Sequence, residues 1–334
     1  DSVPQPAPAA PTSTTRTPVA PPVAPAPATS TSATSTSAKN TFATSSYFKD
    51  TFDAPTRGPV SLDGGSTPPV DLPPFIERLL PPIGPRLKHL EDGWIPQGQG
   101  YDDGRGQVLT TYYRKSGPPI HSIEAVLLSI QDKKSGDERL NVILGGNGDF
   151  SPPSHGGGVS TDGKYVYVAD TDAVYTYTRK ELVDSARNGG FATPIDVMRL
   201  PKDTEDPDPE SDTPLISNGS FMTVKDGYAY VGGYSKDGDG KAGAVWRYEV
   251  DPDSGKLIKD SREGPIRAPD RAQGIAVVDA ALLFTTGKHE LVYQPYDEDS
   301  FTADIDDRKD ISNGRIDPYA QGLNIIDGEV WVTY

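Results

Sequence analysis

HGGGVSTDGKYVYVAD, residues 155–170, places a polar residue before glycines, then a short apolar run, an Asp-Gly turn and an alternating aromatic run. Period-two alternation around an Asp-Gly pair reads as two antiparallel strands joined by a tight turn. The same order of parts recurs in QGQGYDDGRGQVLTTYY from Gln97, NGSFMTVKDGYAYVGGY from Asn218, QGIAVVDAALLFTTG from Gln273 and QGLNIIDGEVWVTY from Gln321. The starts lie 48–63 residues apart. Further strand-like runs fill the intervals, at 106–114, 123–130, 139–144, 173–179, 228–234, 244–250, 281–287, 290–296 and 329–334. In the second copy the strands fall at 157–161, 164–170, 173–179 and 194–200. One helix is expected, RKELVDSARNGG at 179–190, ending on glycines.

Repeats of this length with about four strands each are propeller blades, because such a sheet buries both faces only by stacking on its neighbours around an axis. Five copies predict an all-β fold, a five-bladed β-propeller over residues 94–334 with blades starting near 97, 155, 218, 273 and 321. The fifth copy reaches Tyr334 after two strands. Open sheet edges are liabilities, so the missing outer strands are expected either from the runs within 41–65 or from residues beyond Tyr334.

Residues 1–40 are almost wholly Pro, Ala, Thr, Ser and Val, with too few large apolar side chains to offset ordering, and read as a disordered tether. Residues 41–93 form a lead-in with strand-like TFATSSYFKDTF (41–52) and GPVSLDGG (58–65) and a proline-bounded stretch at 73–90 that allows one or two helical turns. The first residue is Asp1 rather than Met, which fits a processed, exported chain.

The 334 residues carry a net charge of −16, so nucleic acid and anionic bilayers are disfavoured as partners, while glycans and neutral or basic proteins stay open. There is no cysteine, which excludes disulfides, thiolate metal sites and cysteine nucleophiles. No apolar run approaches the ~18 residues that a membrane helix needs, so no membrane insertion is expected.

The blade starts IPQGQGYDDGRGQVLTTYY, HGGGVSTDGKYVYVAD, SNGSFMTVKDGYAYVGGY, AQGIAVVD and AQGLNIIDGEVWVTY resemble those of uncharacterised exported five-bladed β-propeller proteins of actinobacteria and other Gram-positive bacteria. The resemblance covers about 94–334 and implies a secreted or cell-wall-associated propeller, without implying an activity.

Gln97, His155, Asn218, Gln273 and Gln321 occupy equivalent positions in the repeat and are expected to face one another around the axis. They can satisfy each other as a polar plug, or line a pocket for a glycan, a peptide amide or a cation. Glycoside hydrolysis needs two carboxylates across the scissile bond, and the ring positions carry none. The nearest acids are Asp102, Asp103 and Asp170; Asp102 and Asp103 with His155 are the candidates for a carbohydrate-active hydrolase or lyase, although Asp103 also fits a turn residue bonding its own backbone. No Gly-x-Ser-x-Gly elbow is present among four histidines and their surroundings. SKDGDGKAG (235–243) offers Asp237 and Asp239 to Ca²⁺, but the fifth, sixth and twelfth places of an EF-hand loop hold Lys241, Ala242 and Tyr248, so a hairpin without cofactor is expected. The acidic connections 202–212 and 297–310 read as solvated loops, or as a collar for a basic protein if the chain is an assembly subunit. The function expected from these residues is extracellular binding or scaffolding, with a glycan, wall component or protein recognised at one face of the ring.

Overall fold

The computed structural model describes residues 84–334 apart from 115–124, 202–203, 208–212, 239 and 318, with side chains also left aside at 204–207. The chain divides into two units, 1–42 and 43–334, and all that follows concerns the second. The expected tether at 1–40 and nearly all of the lead-in lie outside the described residues.

The first repeat forms β1 (Ile95–Asp102), β2 (Gln107–Arg114), β3 (Ala125–Asp132) and β4 (Glu138–Leu144). The second forms β5 (Gly158–Thr161), β6 (Tyr165–Asp170) and β7 (Ala173–Thr178), then the helix α1 (Arg179–Asn188), β8 (Phe191–Ala192) and β9 (Asp196–Arg199). The third holds β10 (Thr204–Pro207), β11 (Pro214–Ile216), β12 (Phe221–Lys225), β13 (Tyr228–Gly232), β14 (Ala242–Glu249) and β15 (Glu263–Arg267). The fourth has β16 (Ala272–Val278), β17 (Ala281–Thr286), β18 (Leu291–Pro295) and β19 (Lys309–Asp310), and the fifth β20 (Leu323–Ile326) and β21 (Glu329–Val332). Each repeat is its own sheet, with β8 crossing to pair parallel with β4.

Antiparallel meanders arise where alternation meets a turn residue able to enter the left-handed region. Asp226-Gly227 (φ 50° and 83°) and Asp327-Gly328 (φ 53° and 76°) make the mirror-image turns that match strand twist. At the β5–β6 turn, Asp162 Oδ1 accepts from the N–H groups of Lys164 (2.8 Å) and Tyr165 (2.7 Å). Helix α1 forms as expected, with the Thr178 hydroxyl accepting from Glu181 N–H at one end and Gly189 at φ 64° closing the other.

Four large apolar clusters fill the spaces between consecutive sheets. Leu109, Val126 and Leu128 meet Val159, Val166 and Tyr177; Tyr167, Val174 and Met198 meet Met222, Val231 and Trp246; Phe221, Tyr230 and Val245 meet Ile275, Leu282 and Phe284; and Leu283, Leu291 and Tyr293 meet Leu323 and Val330. Among the described residues, the seam from the last repeat back to the first holds the smaller cluster Val108, Ile326 and Trp331, with Tyr101 beside them. Inner strands β1, β5, β12, β16 and β20 stand side by side in that order, and β20 lies against β1. This is a β-propeller, but the expectation of five blades is corrected to four: four sheets have four or more strands, and the fifth repeat brings only the expected two-stranded hairpin among the described residues.

Several tyrosines bury their hydroxyls in these seams, which gives the fold an alkaline limit. Burial pushes Tyr175 up to about 12 and raises Tyr167 and Tyr177 well above their ordinary value of 10.0. A group whose folded pKa is raised supports the fold below its unfolded pKa and withdraws that support above it. Stability is therefore expected to hold to about pH 10 and to fall steeply above it. Ultraviolet titration should show these phenols ionising together with loss of tertiary structure; smooth ionisation near 10 with the fold intact would contradict the burial argument.

Candidate functional site

The inner strands converge where nothing larger than glycine fits. A Cβ on Gly98 would lie 2.6 Å from Val159 N, one on Gly158 2.3 Å from Met222 N, one on Gly274 2.6 Å from the Gln321 carbonyl oxygen, and one on Gly322 2.4 Å from Gln99 N. These approaches fix which residues share a level around the axis: Gly98–Gln99, Gly158–Val159, Phe221–Met222, Gly274 and Gly322.

Measured from that level, the expected ring of five resolves into two groups. Gln97, Gln273 and Gln321 each stand one residue before it. His155 and Asn218 stand three before it, in the loops leading into β5 and β12, and Gly157 and Ser220 take the places that the repeat assigned to them. A side chain at 157 is excluded, because its Cβ would lie 2.3 Å from the Ser220 carbonyl oxygen. Gln97 and Gln273 sit at register shifts, between Pro96 and Gln99 and between Ala272 and Gly274. Gln97 is buried, its Nε2 donating to Pro96 O at 2.7 Å. Gln321 is held through its backbone, N–H to Thr333 O (2.8 Å) and carbonyl to the Thr285 hydroxyl (3.3 Å). Asn218 turns inward, its Oδ1 accepting from the Ser220 hydroxyl (2.8 Å) and Tyr234 N–H (3.2 Å).

Hydroxyls on the second strands of the first and fourth repeats clasp the repeat that follows, a signal that the sequence hides in its TT pairs. Thr111 accepts from Gly98 N–H (3.0 Å) and donates across the seam to Gly156 O (2.7 Å). Thr285 makes the matching contact to Gln321 O.

His155 is exposed on the face where the inner strands begin, here the upper face. Its ring lies 4.5 Å from that of Tyr113 with the planes 35° apart. The loop that carries it is fixed by Asp170, whose buried carboxylate ends β6. Oδ1 accepts from His155 N–H (2.5 Å) and Gly156 N–H (2.7 Å), and Oδ2 from Ser154 N–H (3.1 Å) and its hydroxyl (3.3 Å). Trp94, with the Arg114 guanidinium 6.0 Å from its ring, and Tyr319, 79% exposed, belong to the same face. Asp170 is thus a positioning group, where the sequence suggested a strand-end acid.

Asp102 and Asp103 do not join His155. They lie where β1 ends, five residues and about 16 Å of strand below Gln97. Asp102 is buried; Oδ1 caps the turn by accepting from Arg105 N–H (3.1 Å), and Oδ2 lies 2.9 Å from the Arg105 and 3.0 Å from the Arg179 guanidinium. Burial lowers the Arg179 pKa while Asp102 opposes that shift. Asp103 is exposed in the turn.

Asp237 is also committed elsewhere, 2.6 Å from Lys288 Nζ and 3.1 Å from Arg271 Nε, and the Lys288 hydrogen bond holds its carboxyl below the usual range. Asp239 lies outside the described residues, among which no three His, Asp or Glu side chains gather as a metal site. No helix among them is long and apolar enough to cross a membrane. A cleft of about 460 Å³ opens between α1 and β4, lined by Arg139, Arg179, Arg187 and Glu138 over Leu140 and Leu182. Its charges are largely spoken for: Arg139 by Asp132 at 3.1 Å, Arg179 by Asp102, and Glu138 by Ser129, Asn141 and His89.

No protein-family model matches the chain, and no curated protein matches it. Solved structures that match include the crystal structure of Myxococcus xanthus glutaminyl cyclase, 13% identical over 72% of this chain and 86% of that one, with a TM-score of 0.40. The class assigned here, a β-propeller, rests on strand pairing and seam packing rather than on that likeness. No family model and no curated relative supports the exported bacterial group that the blade starts resemble.

Proposed function

We propose that the protein is an extracellular binding propeller that takes a neutral glycan on its upper face. The observation that carries this reading is the Tyr113–His155 pair, two rings held together on the upper face by a loop that Asp170 fixes in place. Flat rings on a rigid backbone present an apolar surface with polar tips at little entropic cost, which suits the faces and hydroxyls of a sugar. The half-buried amides of Gln273 and Gln321 supply donors and acceptors nearby. The long Pro/Ala/Ser/Thr segment and the net charge of −16 support a module held in solution away from a surface.

An array of neutral and amino-sugar oligosaccharides, followed by calorimetry on the best one, tests the reading. Tyr113→Ala and His155→Ala are each expected to weaken binding at least tenfold, and Asp103→Asn at the opposite face to leave it unchanged. If His155 binds through a charge, His155→Gln removes any pH dependence of affinity. Absence of binding across the array, with loss of a protein partner on neutralising residues 297–310, would replace this reading with the assembly subunit. Release of reducing ends from the bound oligosaccharide would replace it with a hydrolase.

A further inference from the structure

One charge in the cleft between α1 and β4 is not spoken for. Arg187, in the last turn of α1, is exposed, and its guanidinium makes no hydrogen bond and no ion pair among the described residues. Asp184, one turn back, is bonded by Lys180, and Arg187 acts on it through its field alone. Arg139 is 51% exposed and gives one nitrogen to Asp132 at 3.1 Å; its guanidinium makes no other hydrogen bond among the described residues. The carboxylate that lines the cleft, Glu138, is filled by three donors, Ser129 (2.5 Å), Asn141 (2.6 Å) and His89 (2.7 Å). Arg179 is committed to Asp102 and Gln107.

The cleft exists because of an insertion. Among the described residues α1 is the only α-helix, and it stands between β7 and β9, which are neighbours in the second sheet. Its buried side chain is Leu182, while Val183 and Ala186 stay half-buried and line the cleft with the likewise half-buried Leu140 of β4. The strand that follows, β8, pairs parallel with β4 and so ties the insertion to the first sheet. Insertions into single repeats are where repeat folds carry binding surfaces.

We propose that this cleft binds a small organic carboxylate, its head group held by Arg187 and Arg139 and its apolar body laid over Leu140, Val183 and Ala186. A volume of about 460 Å³ is that of a small-ligand site, and such sites are mostly apolar with a few placed polar groups. The planar guanidinium fork matches a carboxylate through two parallel hydrogen bonds. A chain of net charge −16 repels anions on average, so an anion is drawn only by local cations, and this cleft has two with donors to spare. The apolar floor calls for an organic body, since a bare inorganic anion would leave it wet. None of the lining residues belongs to the Tyr113–His155 pair, so the proposal stands apart from the glycan reading.

Methyl NMR on the full chain, titrated with octanoate, phenylacetate and phenylacetamide, tests this. Octanoate or phenylacetate is expected to give saturable shifts at the Leu140, Leu182 and Val183 methyls, while Val231 and Leu283 in the third and fourth blades stay unmoved. The uncharged phenylacetamide should bind at least about tenfold more weakly than phenylacetate, the loss of a charge-assisted pair. Arg187→Gln should cost at least about tenfold in affinity and leave the thermal midpoint of the ligand-free chain unchanged, since that side chain is exposed. Arg139→Gln should weaken binding in the same direction. Lys180→Gln, an exposed charge on the same helix that does not line the cleft, should leave affinity as it was. Equal affinity for the acid and the amide, or for Arg187→Gln and the unaltered chain, overturns the proposal. Equal shifts with inorganic phosphate overturn it too, since the floor would then play no part. So does the absence of a saturable shift with either acid up to about 10 mM.

Discussion

Asp170→Ala is expected to lower the unfolding free energy by about 4 kcal/mol, the largest loss for any single side chain on the upper face. Its carboxylate receives three backbone N–H groups and a hydroxyl from residues 154–156, and it is 4% exposed, so water replaces little of what is lost. Truncation leaves buried donors unmet and frees the loop that sets His155 against Tyr113. Asp170→Asn keeps one acceptor oxygen and should cost about half as much. Urea unfolding with an unchanged m-value reads the difference directly. A loss below about 1 kcal/mol for the alanine variant would mean that the loop is held by other contacts.

Gly158→Ala should be nearly as damaging, at about 3 kcal/mol, for the opposite reason. The added methyl would lie 2.3 Å from Met222 N and 2.8 Å from Phe221 C, and both are backbone atoms of the next inner strand. No side-chain rotation relieves that contact, so β5 and β12 must part. Gly190→Ala is the companion measurement, since its nearest neighbour would be Ser185 O at 3.9 Å and φ there is not positive. That variant should be neutral or slightly stabilising, because alanine restricts the unfolded chain. Equal thermal midpoints for the two variants would sink the idea that the inner strands converge on glycine.

Much of the fold was legible because its signals are local. The second repeat, expected at 157–161, 164–170, 173–179 and 194–200, forms strands at 158–161, 165–170, 173–178 and 196–199. Alternation and the Asp turns are properties of adjacent residues, and so is the glycine that ends α1. The outer strands β10, β11, β15 and β19 left no comparable trace, being short and set by partners distant in sequence. The candidate ring was legible in part. The first glycine after each polar residue aligned Gln97, Gln273 and Gln321 correctly, but HGGG and NGS offer several ways to align. The position that counts is the one pressed against the next strand, which places His155 and Asn218 two residues further out. The positioning role of Asp170 left no trace, because its partners are N–H groups of loop residues 14–16 positions before it, and nothing in the sequence marks backbone donors.

The abutment of Gly322 on Gln99 also bears on the order of folding. Four seams join consecutive repeats, so they form from neighbours about 60 residues apart and can appear in any order as the chain grows. The fifth joins strands more than 200 residues apart. By loop-closure scaling the added entropy is small, about 1.2 kcal/mol for two doublings of loop length. The contact nevertheless joins residues far more distant in sequence than those of the other four seams, and such contacts are slow to form. An open arc of stacked sheets, its first and last members unmet, is the species expected to precede the closed ring. Its lifetime would depend on how readily these two backbones meet.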